Sequence, residues 1–123
     1  MNVSVIAAVL LAVAVGLGAF GAHGLKDKLD AYSMALWEKA VFYQFIHALG
    51  MLVVPLFAKS GALSNAAANR IAMVLCAGIV LFCGSLYLLA LTGVRTWGAV
   101  TPFGGICFIA GWLMLAWSLA RRP

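Results

Sequence analysis

Of 123 residues, 66% are apolar and only 9% are charged, and the mean hydropathy is +1.11, so a soluble globule would lack the polar surface to cover itself. The net charge of +5 does not indicate a nucleic-acid partner, because no water-exposed element is long enough to align a basic stripe along a phosphate backbone. Composition therefore predicts an integral membrane protein whose cations lie at lipid headgroups.

Four apolar stretches are each long enough to cross the roughly 30 Å hydrocarbon core as a helix, and their predicted bounds are 3–22, 37–58, 71–92 and 102–120. Short connections favour antiparallel neighbours. The predicted fold class is therefore an all-α membrane protein, a four-transmembrane-helix bundle that forms a single domain over residues 1–123. Between helices 1 and 2, helical spacing of apolar residues predicts a short interfacial amphipathic segment with Leu25, Leu29, Tyr32 and Leu36 facing the lipid.

The first span lacks the basic start of a signal peptide, and its apolar run is longer than such a peptide needs, so we expect it to remain as a membrane helix. Ala14, Gly18 and Ala22 recur every four residues and predict a smooth face for close helix packing.

The second span is unusual because it carries several polar side chains on one face and none on the other. We expect the first face to point into the bundle; it contains Trp37, Ala40, Gln44, His47, Met51 and Pro55. We expect the opposite face to contact lipid; it contains Phe42, Phe45, Ile46, Leu49, Val53 and Leu56. Glu38 and Lys39 point away from the polar face and are interpreted as anchors at the membrane surface.

Helix boundaries and packing faces are predicted for the last two spans as well. Ser64 or Asn65 is expected to cap the start of the third helix, Gly93 its end, and Thr101-Pro102 the start of the fourth. Small residues recur every seven positions in both spans and favour close packing. In the third they are Gly78, Ser85 and Thr92, and in the fourth Gly104, Gly111 and Ser118.

Counting the rise per residue assigns most polar side chains to one half of the membrane, the half that faces the first and third loops. The candidate group consists of Tyr43, Gln44, His47, Ser85, Thr101 and His23. Unpaired polar groups in hydrocarbon are costly, so this group forms either an internal hydrogen-bonded cluster or a cavity open to the first loop. We favour the hydrogen-bonded cluster.

The residues do not indicate a catalytic, metal-binding or cofactor-binding site. No Asp or Glu falls within a predicted membrane core, and His47 has no second ligand at metal-binding spacing on its helix. Cys76, Cys83 and Cys107 fall inside apolar helices and are interpreted as small hydrophobic residues. We therefore expect a non-enzymatic bundle that packs with membrane lipids or partners, including other copies of itself, and the alternative is a small oligomeric carrier or channel.

Orientation follows weakly from charge, because the two ends of the predicted bundle carry equal numbers of cations. One end has Lys59, Arg70, Arg121 and Arg122, and the other has Lys26, Lys28, Lys39 and Arg95. All three acidic residues lie near the first loop, so we expect both termini in the cytoplasm. The equal counts also leave open an antiparallel dimer of dual topology.

Several short motifs resemble one known family. They are Gly18-Ala-Phe-Gly-Ala-His-Gly-Leu25, Tyr43-Gln44 with His47-Ala48, Gly84-Ser-Leu-Tyr87, Thr101-Pro-Phe-Gly-Gly105 and Ala110-Gly-Trp112. Together they resemble domain-of-unknown-function family 423, the small YgdD-like membrane proteins that are similar to eukaryotic transmembrane protein 256. The resemblance implies a multi-pass protein of the bacterial inner membrane, and it implies no activity, substrate or ligand.

Overall fold

The computed structural model describes residues 2–121, which form four long helices and no strand. The helices are α1 (Val3–His23), α2 (Ala31–Lys59), α3 (Asn65–Thr92) and α4 (Thr96–Ala120), and all four are long and apolar enough to cross a membrane. A π-helical turn, Ile79–Cys83, interrupts α3. The predicted all-α class with four spanning helices is confirmed.

Contacting pairs show that consecutive helices run antiparallel. On α1 and α2, Trp37 contacts Leu17, whereas Gln44, two turns further along α2, contacts Leu10, two turns further back on α1. The same opposition holds between α3 and α4. As the position on α3 moves from Leu75 to Ser85, its partner on α4 moves from Gly111 to Thr101. The starts of α1 and α3 therefore lie with the ends of α2 and α4 at one end, here called the terminal end, and the turns over 24–30 and 93–95 form the first-loop end.

The hydrocarbon core can be located on α2 from its two exposed lysines. Lys39 and Lys59 lie about 30 Å apart along the helix, which is the thickness of the core. The first two turns of α2 therefore project beyond the hydrocarbon at the first-loop end. The predicted interfacial segment is short, but its helical part is continuous with α2. Leu25 is buried and Tyr32 is 69% exposed, so these two residues do not share one apolar face.

Three of the predicted caps are tested by the described geometry. The Ser64 hydroxyl accepts a hydrogen bond from the Ala67 N–H at 3.0 Å, which confirms it as the cap of α3. Gly93 ends α3 with φ +69°, a left-handed conformation that favours glycine, as predicted. The prediction for Thr101-Pro102 was wrong, because α4 begins at Thr96. Pro102 therefore lies in the second turn of α4, where it lacks the N–H that would otherwise bond to the Gly98 carbonyl.

Helix α2 packs between α1 and α3 and buries the face that its sequence predicted. Trp37, Ala40, Gln44, His47 and Met51 are all buried. The opposite face points to lipid, with Phe42, Ile46, Leu49, Val53 and Leu56 exposed and Phe45 partly buried. Periodicity alone therefore oriented this helix correctly.

On α1 the packing face differs from the predicted one. Ala14 is buried, and a Cβ on Gly18 would lie 3.4 Å from Val41, but Ala22 is exposed. The third close contact is made by Gly21 instead, since α1 meets α2 along residues spaced by seven, Ala7, Ala14 and Gly21. A spacing of seven keeps one side of a helix facing its partner over four turns, whereas a spacing of four drifts around the helix.

Asp30 caps the start of α2, and we expect its removal to have a pH-dependent effect. Its carboxylate accepts the Ser33 N–H at 2.7 Å, and this hydrogen bond lowers the pKa of Asp30 below the ordinary value of 3.8. A lowered pKa in the folded state contributes stability at pH values above the ordinary pKa and loses it as pH falls through the folded pKa. Asp30→Ala should therefore unfold at a lower temperature than the wild type at neutral pH, and this gap should close in acid.

Thermal unfolding in detergent across the acid range measures this gap. Asp30→Asn is the control, because an asparagine caps a helix without titrating, so the difference in melting temperature between Asp30→Asn and Asp30→Ala should not depend on pH. A gap between wild type and Asp30→Ala that stays constant into acid would contradict a role for the ionised carboxylate.

Candidate functional site

Gln44 joins three helices through the two ends of its side-chain amide. Its Nε2 donates to the backbone carbonyl of Leu10 on α1 at 2.8 Å, and its Oε1 accepts from the hydroxyl of Tyr87 on α3 at 2.7 Å. The residue is only 3% exposed. A carbonyl oxygen has two lone pairs, so Leu10 can accept this bond and still remain in the helical ladder of α1. Gln44 is therefore a bridge between helices with its donor and its acceptor both engaged.

Trp37 forms a second bridge to α1, two turns nearer the first-loop end. Its indole Nε1 donates to the backbone carbonyl of Leu17 at 2.9 Å. The indole lies so close to α1 that a Cβ on Gly21 would fall 2.6 Å from Nε1, so this contact requires glycine. Tyr87 packs edge-on against the same indole with ring centroids 4.7 Å apart. Trp37, Gln44 and Tyr87 thus form one connected unit, the α1–α3 bridge.

His47 lies on the same buried face of α2 as Gln44, one turn further along, and it contacts a group of aromatic rings. Its ring stacks on Phe108 of α4, with centroids 3.5 Å apart and planes 14° apart, and Trp112 lies 5.7 Å away. Its Nδ1 is 2.8 Å from the backbone carbonyl of Tyr43. Because a carbonyl oxygen only accepts, this contact places a proton on Nδ1. The imidazole is 5% exposed and serves here mainly as a flat ring in an aromatic stack.

Ser85 and Thr101 tie α3 to α4 next to the π-helical turn. Their hydroxyl oxygens are 2.6 Å apart, and Ser85 also contacts the carbonyl of Phe82 at 3.0 Å. Thr101 contacts the carbonyl of Trp97 at 3.4 Å. A π turn leaves backbone groups out of the regular helical ladder, and hydroxyls of this kind satisfy them.

The predicted candidate residues fall into two groups of contacts and one outlier. Gln44 belongs to the α1–α3 bridge. Tyr43, His47, Ser85 and Thr101 belong to the contacts among α2, α3 and α4, where the Tyr43 ring lies 4.5 Å from Phe82. His23 is exposed at the end of α1 and joins neither group.

Hydrogen-bond satisfaction in the core favours the cluster over the open cavity. Among residues 2–121, every fully buried side-chain nitrogen or oxygen has a hydrogen-bond partner. Four of the surface cavities lie along the outside of the bundle and at its two ends. Trp37 lines one of them, and none of the four is lined by Gln44, His47, Ser85 or Thr101. Over the same described range, no group of three His, Cys, Asp or Glu residues could hold a metal ion.

Of the groups that form the α1–α3 bridge with Gln44, two could be identified from the sequence and two could not. Trp37 and Tyr87 are polar-tipped aromatic residues within predicted spans, and such residues usually find a partner when buried. The carbonyls of Leu10 and Leu17 had no signal, because any helical residue offers the same group.

Comparison with known proteins agrees with the resemblance noted in the motifs. The family described as "Protein of unknown function (DUF423)" matches residues 17–105. A UPF0382 membrane protein of Staphylococcus epidermidis is 52% identical over 116 residues, which cover 94% of this chain and 93% of the relative. The UPF0382 membrane protein SSP2132 of Staphylococcus saprophyticus is 49% identical, with 94% of each chain covered. UPF0382 membrane protein YwdK of Bacillus subtilis is 44% identical, covering 90% of this chain and 89% of its own.

No solved structure matches this chain. The family match covers most of the sequence, and the relatives align over nearly their whole length and are named as membrane proteins of bacteria. The chain therefore belongs to the DUF423 family of membrane proteins.

Proposed function

We propose that this protein is a non-enzymatic packing component of the bacterial inner membrane that associates with a second copy of itself through the outward face of α1. The observation that carries the proposal is a row of small exposed residues on that face, Ala8, Ala12 and Gly16. We call this row the outer α1 face. The proposal also assigns both termini to the cytoplasm.

The outer α1 face is distinct from the face that α1 uses within the bundle. Ala7, Ala14 and Gly21 point inward, whereas a Cβ on Gly16 would meet no atom within 4 Å. Large β-branched residues flank the small ones on the outside. These are Val5, Val9 and Val13, which are 58%, 56% and 45% exposed.

Such a pattern is typical of helices that associate within a membrane. Lipid tails are as apolar as valine, so burial from water does not drive association there, and close packing does. Small residues every four positions let two helix backbones approach, and the flanking valines have few rotamers to lose on contact. Inside this same bundle, Gly104 already allows a close approach of this kind to the backbone of Phe82.

The arrangement of polar groups supports a packing role rather than transport or catalysis. Gln44, Tyr87, Ser85 and Thr101 are engaged with each other or with backbone carbonyls, so they serve to hold the helices together. A carrier would need such groups to face a pathway, and an enzyme would need a reactive group in contact with substrate. The hydrogen bonds therefore favour the non-enzymatic bundle over the carrier or channel.

The distribution of charge supports the proposed orientation. Lys59, Arg70 and Arg121 lie at the terminal end, and Asp27, Asp30 and Glu38 lie at the first-loop end, where their negative charges oppose the cations beside them. Cytoplasmic leaflets carry anionic lipid, which attracts the purely cationic terminal end.

Energy transfer between two fluorescently labelled populations in lipid vesicles tests the proposed self-association. Ala12→Leu combined with Gly16→Leu should reduce transfer to the level of random mixing, because the two leucines separate the helices. The matched control is Ala77→Leu with Ala116→Leu, two lipid-exposed alanines on α3 and α4, which should leave transfer unchanged.

Equal transfer in the wild type and the Ala12/Gly16 variant would show that the outer α1 face is not the interface. Loss of transfer in both variants would point to a general effect on folding, and circular dichroism of each variant separates that case. Attaching the label to the C-terminus and quenching it from outside the vesicles also reports whether the paired copies share one orientation.

A further inference from the structure

The largest of the four cavities lies at the terminal end, between the start of α3 and the end of α4, and its volume is 510 Å³. This volume is within the range of pockets that hold small ligands. The polar side chains on its wall are Arg70 of α3 and Ser118 of α4, together with Ser64 just before α3 and Arg121 just after α4. We call this cavity the arginine cleft.

The charged side chains that line the arginine cleft, among the described residues, are both positive. Of the residues that the structure describes, Arg70 and Arg121 line it and no Asp or Glu does. The acidic side chains of the described residues, Asp27, Asp30 and Glu38, all lie at the first-loop end, across the membrane. The hydrocarbon core is about 30 Å thick, so none of these carboxylates can reach either arginine. Two guanidiniums without a carboxylate partner form a site for an anion, since their planar forks match phosphate oxygens.

The cleft lies at the level of lipid headgroups. Lys59 marks the edge of the hydrocarbon on α2 at the same end, and Arg121 follows the last turn of α4. The Arg121 guanidinium lies 5.8 Å from the ring of Trp117, whose indole is typical of the membrane interface. A ligand in the cleft would therefore have its charged part at the surface and its other end against the hydrocarbon.

The serines add hydroxyl groups that can donate hydrogen bonds to a ligand. Ser64 accepts the Ala67 N–H with its oxygen, which leaves its hydroxyl proton free to donate. Ala62, Leu63 and Ala67 complete the wall with apolar surface. The cleft thus combines two cations and hydroxyl groups with a smaller apolar part of its wall, and the cations and hydroxyls match a phosphate and its polar substituent.

We propose that the arginine cleft binds the headgroup of an anionic phospholipid, with Arg70 and Arg121 holding its phosphate and Ser64 and Ser118 near its polar substituent. The ligand class is a phosphodiester lipid with net negative charge, represented by phosphatidylglycerol. This site is separate from the outer α1 face, so it does not depend on self-association.

Lipid titration of the purified full-length protein in neutral detergent, followed by native mass spectrometry, measures this binding. Phosphatidylglycerol should bind more tightly than phosphatidylethanolamine, which has the same phosphate but an added positive charge. Arg70→Gln combined with Arg121→Gln should weaken phosphatidylglycerol binding by about tenfold or more, since two cationic contacts are lost. The control is Lys59→Gln with Arg95→Gln, which removes the same charge outside the cleft and should change binding by less than about twofold.

Three results would overturn the proposal. The first is an equal loss of binding in the control, which would indicate general attraction to positive charge. The second is no preference for phosphatidylglycerol over phosphatidylethanolamine. The third is competition by soluble glycerol 3-phosphate at the same concentration as the lipid, which would indicate a small-anion site. Unchanged melting of the variants in lipid-free detergent shows that a loss of lipid binding does not come from misfolding.

Discussion

Replacing Gly104 with alanine is expected to destabilise the bundle by about 1–3 kcal/mol, the usual cost of forcing an extra group into a packed interior. Gly104 of α4 lies directly against the backbone of α3. A Cβ at this position would meet the backbone nitrogen of Phe82 and fall 2.6 Å from its Cα. Backbone atoms cannot rotate away as a side chain can, so the two helices would have to separate. The contact occurs at the π-helical turn, where the geometry of α3 is already irregular.

The neighbouring glycine provides a matched control. A Cβ on Gly105 would have as its nearest neighbour the side chain of Phe82 at 3.9 Å, which is an ordinary contact distance. Gly105→Ala should therefore be neutral or stabilising by up to about 1 kcal/mol, because alanine favours a helix over glycine. Reversible unfolding in mixed detergent measures both variants. Equal stability of the two would contradict the close approach of α4 to the Phe82 backbone.

Replacing Gln44 with leucine is the second change with a large expected effect, a loss of about 1–3 kcal/mol. Hydrogen bonds between membrane helices average about 0.6 kcal/mol, but this change removes two of them and leaves the Tyr87 hydroxyl without its acceptor. The same unfolding measurement reports the loss. Ile46→Leu, on the lipid-facing side of α2, should change stability by less than about 0.5 kcal/mol. A Gln44→Leu variant as stable as the wild type would show that the bridge contributes nothing to folding.

Much of this fold could be predicted from the sequence because the relevant signals are local. The four apolar stretches identify the helices, and the alternation of polar and apolar residues around α2 identifies its buried face. The caps at Ser64 and Gly93 depend on residues within one turn of the helix end. Each of these features follows from the residue itself and its near neighbours, so one sequence is enough to find it.

The details of the candidate site depended on distant residues and on the backbone. Gln44 pairs with a carbonyl on α1 that no side chain identifies, and His47 stacks on Phe108 of α4, which no sequence pattern pairs with it. His23 was assigned to the group because its depth was taken from the rise per residue along the helix, which does not report the direction of a side chain around the helix. The start of α4 was missed because Pro102 resembles a first-turn proline, whereas Gly93 leaves only a three-residue turn before Thr96.

Small residues on the two sides of α1 have different roles. Those that face α2 allow close packing within the bundle, and those that face outward have the proposed role in association. Toward α2, Gly21 admits the indole of Trp37, and this contact holds α1 on the bundle. Away from α2, Gly16 meets no neighbour. If α1 were held less firmly, its outward face would have no fixed position relative to the other helices. The α1–α3 bridge is therefore what would keep the outer α1 face available to a second copy.

The central claim is that the buried polar side chains act as hydrogen-bonded links between helices and not as the lining of a water-filled space. A double-mutant cycle with Gln44→Leu and Tyr87→Phe, measured by reversible unfolding in detergent, tests it most directly. Direct hydrogen bonding predicts that the double variant loses about 1 kcal/mol less than the sum of the single losses. Additive losses, to within about 0.3 kcal/mol, would mean that water or other groups already satisfy each side chain, and would contradict the claim.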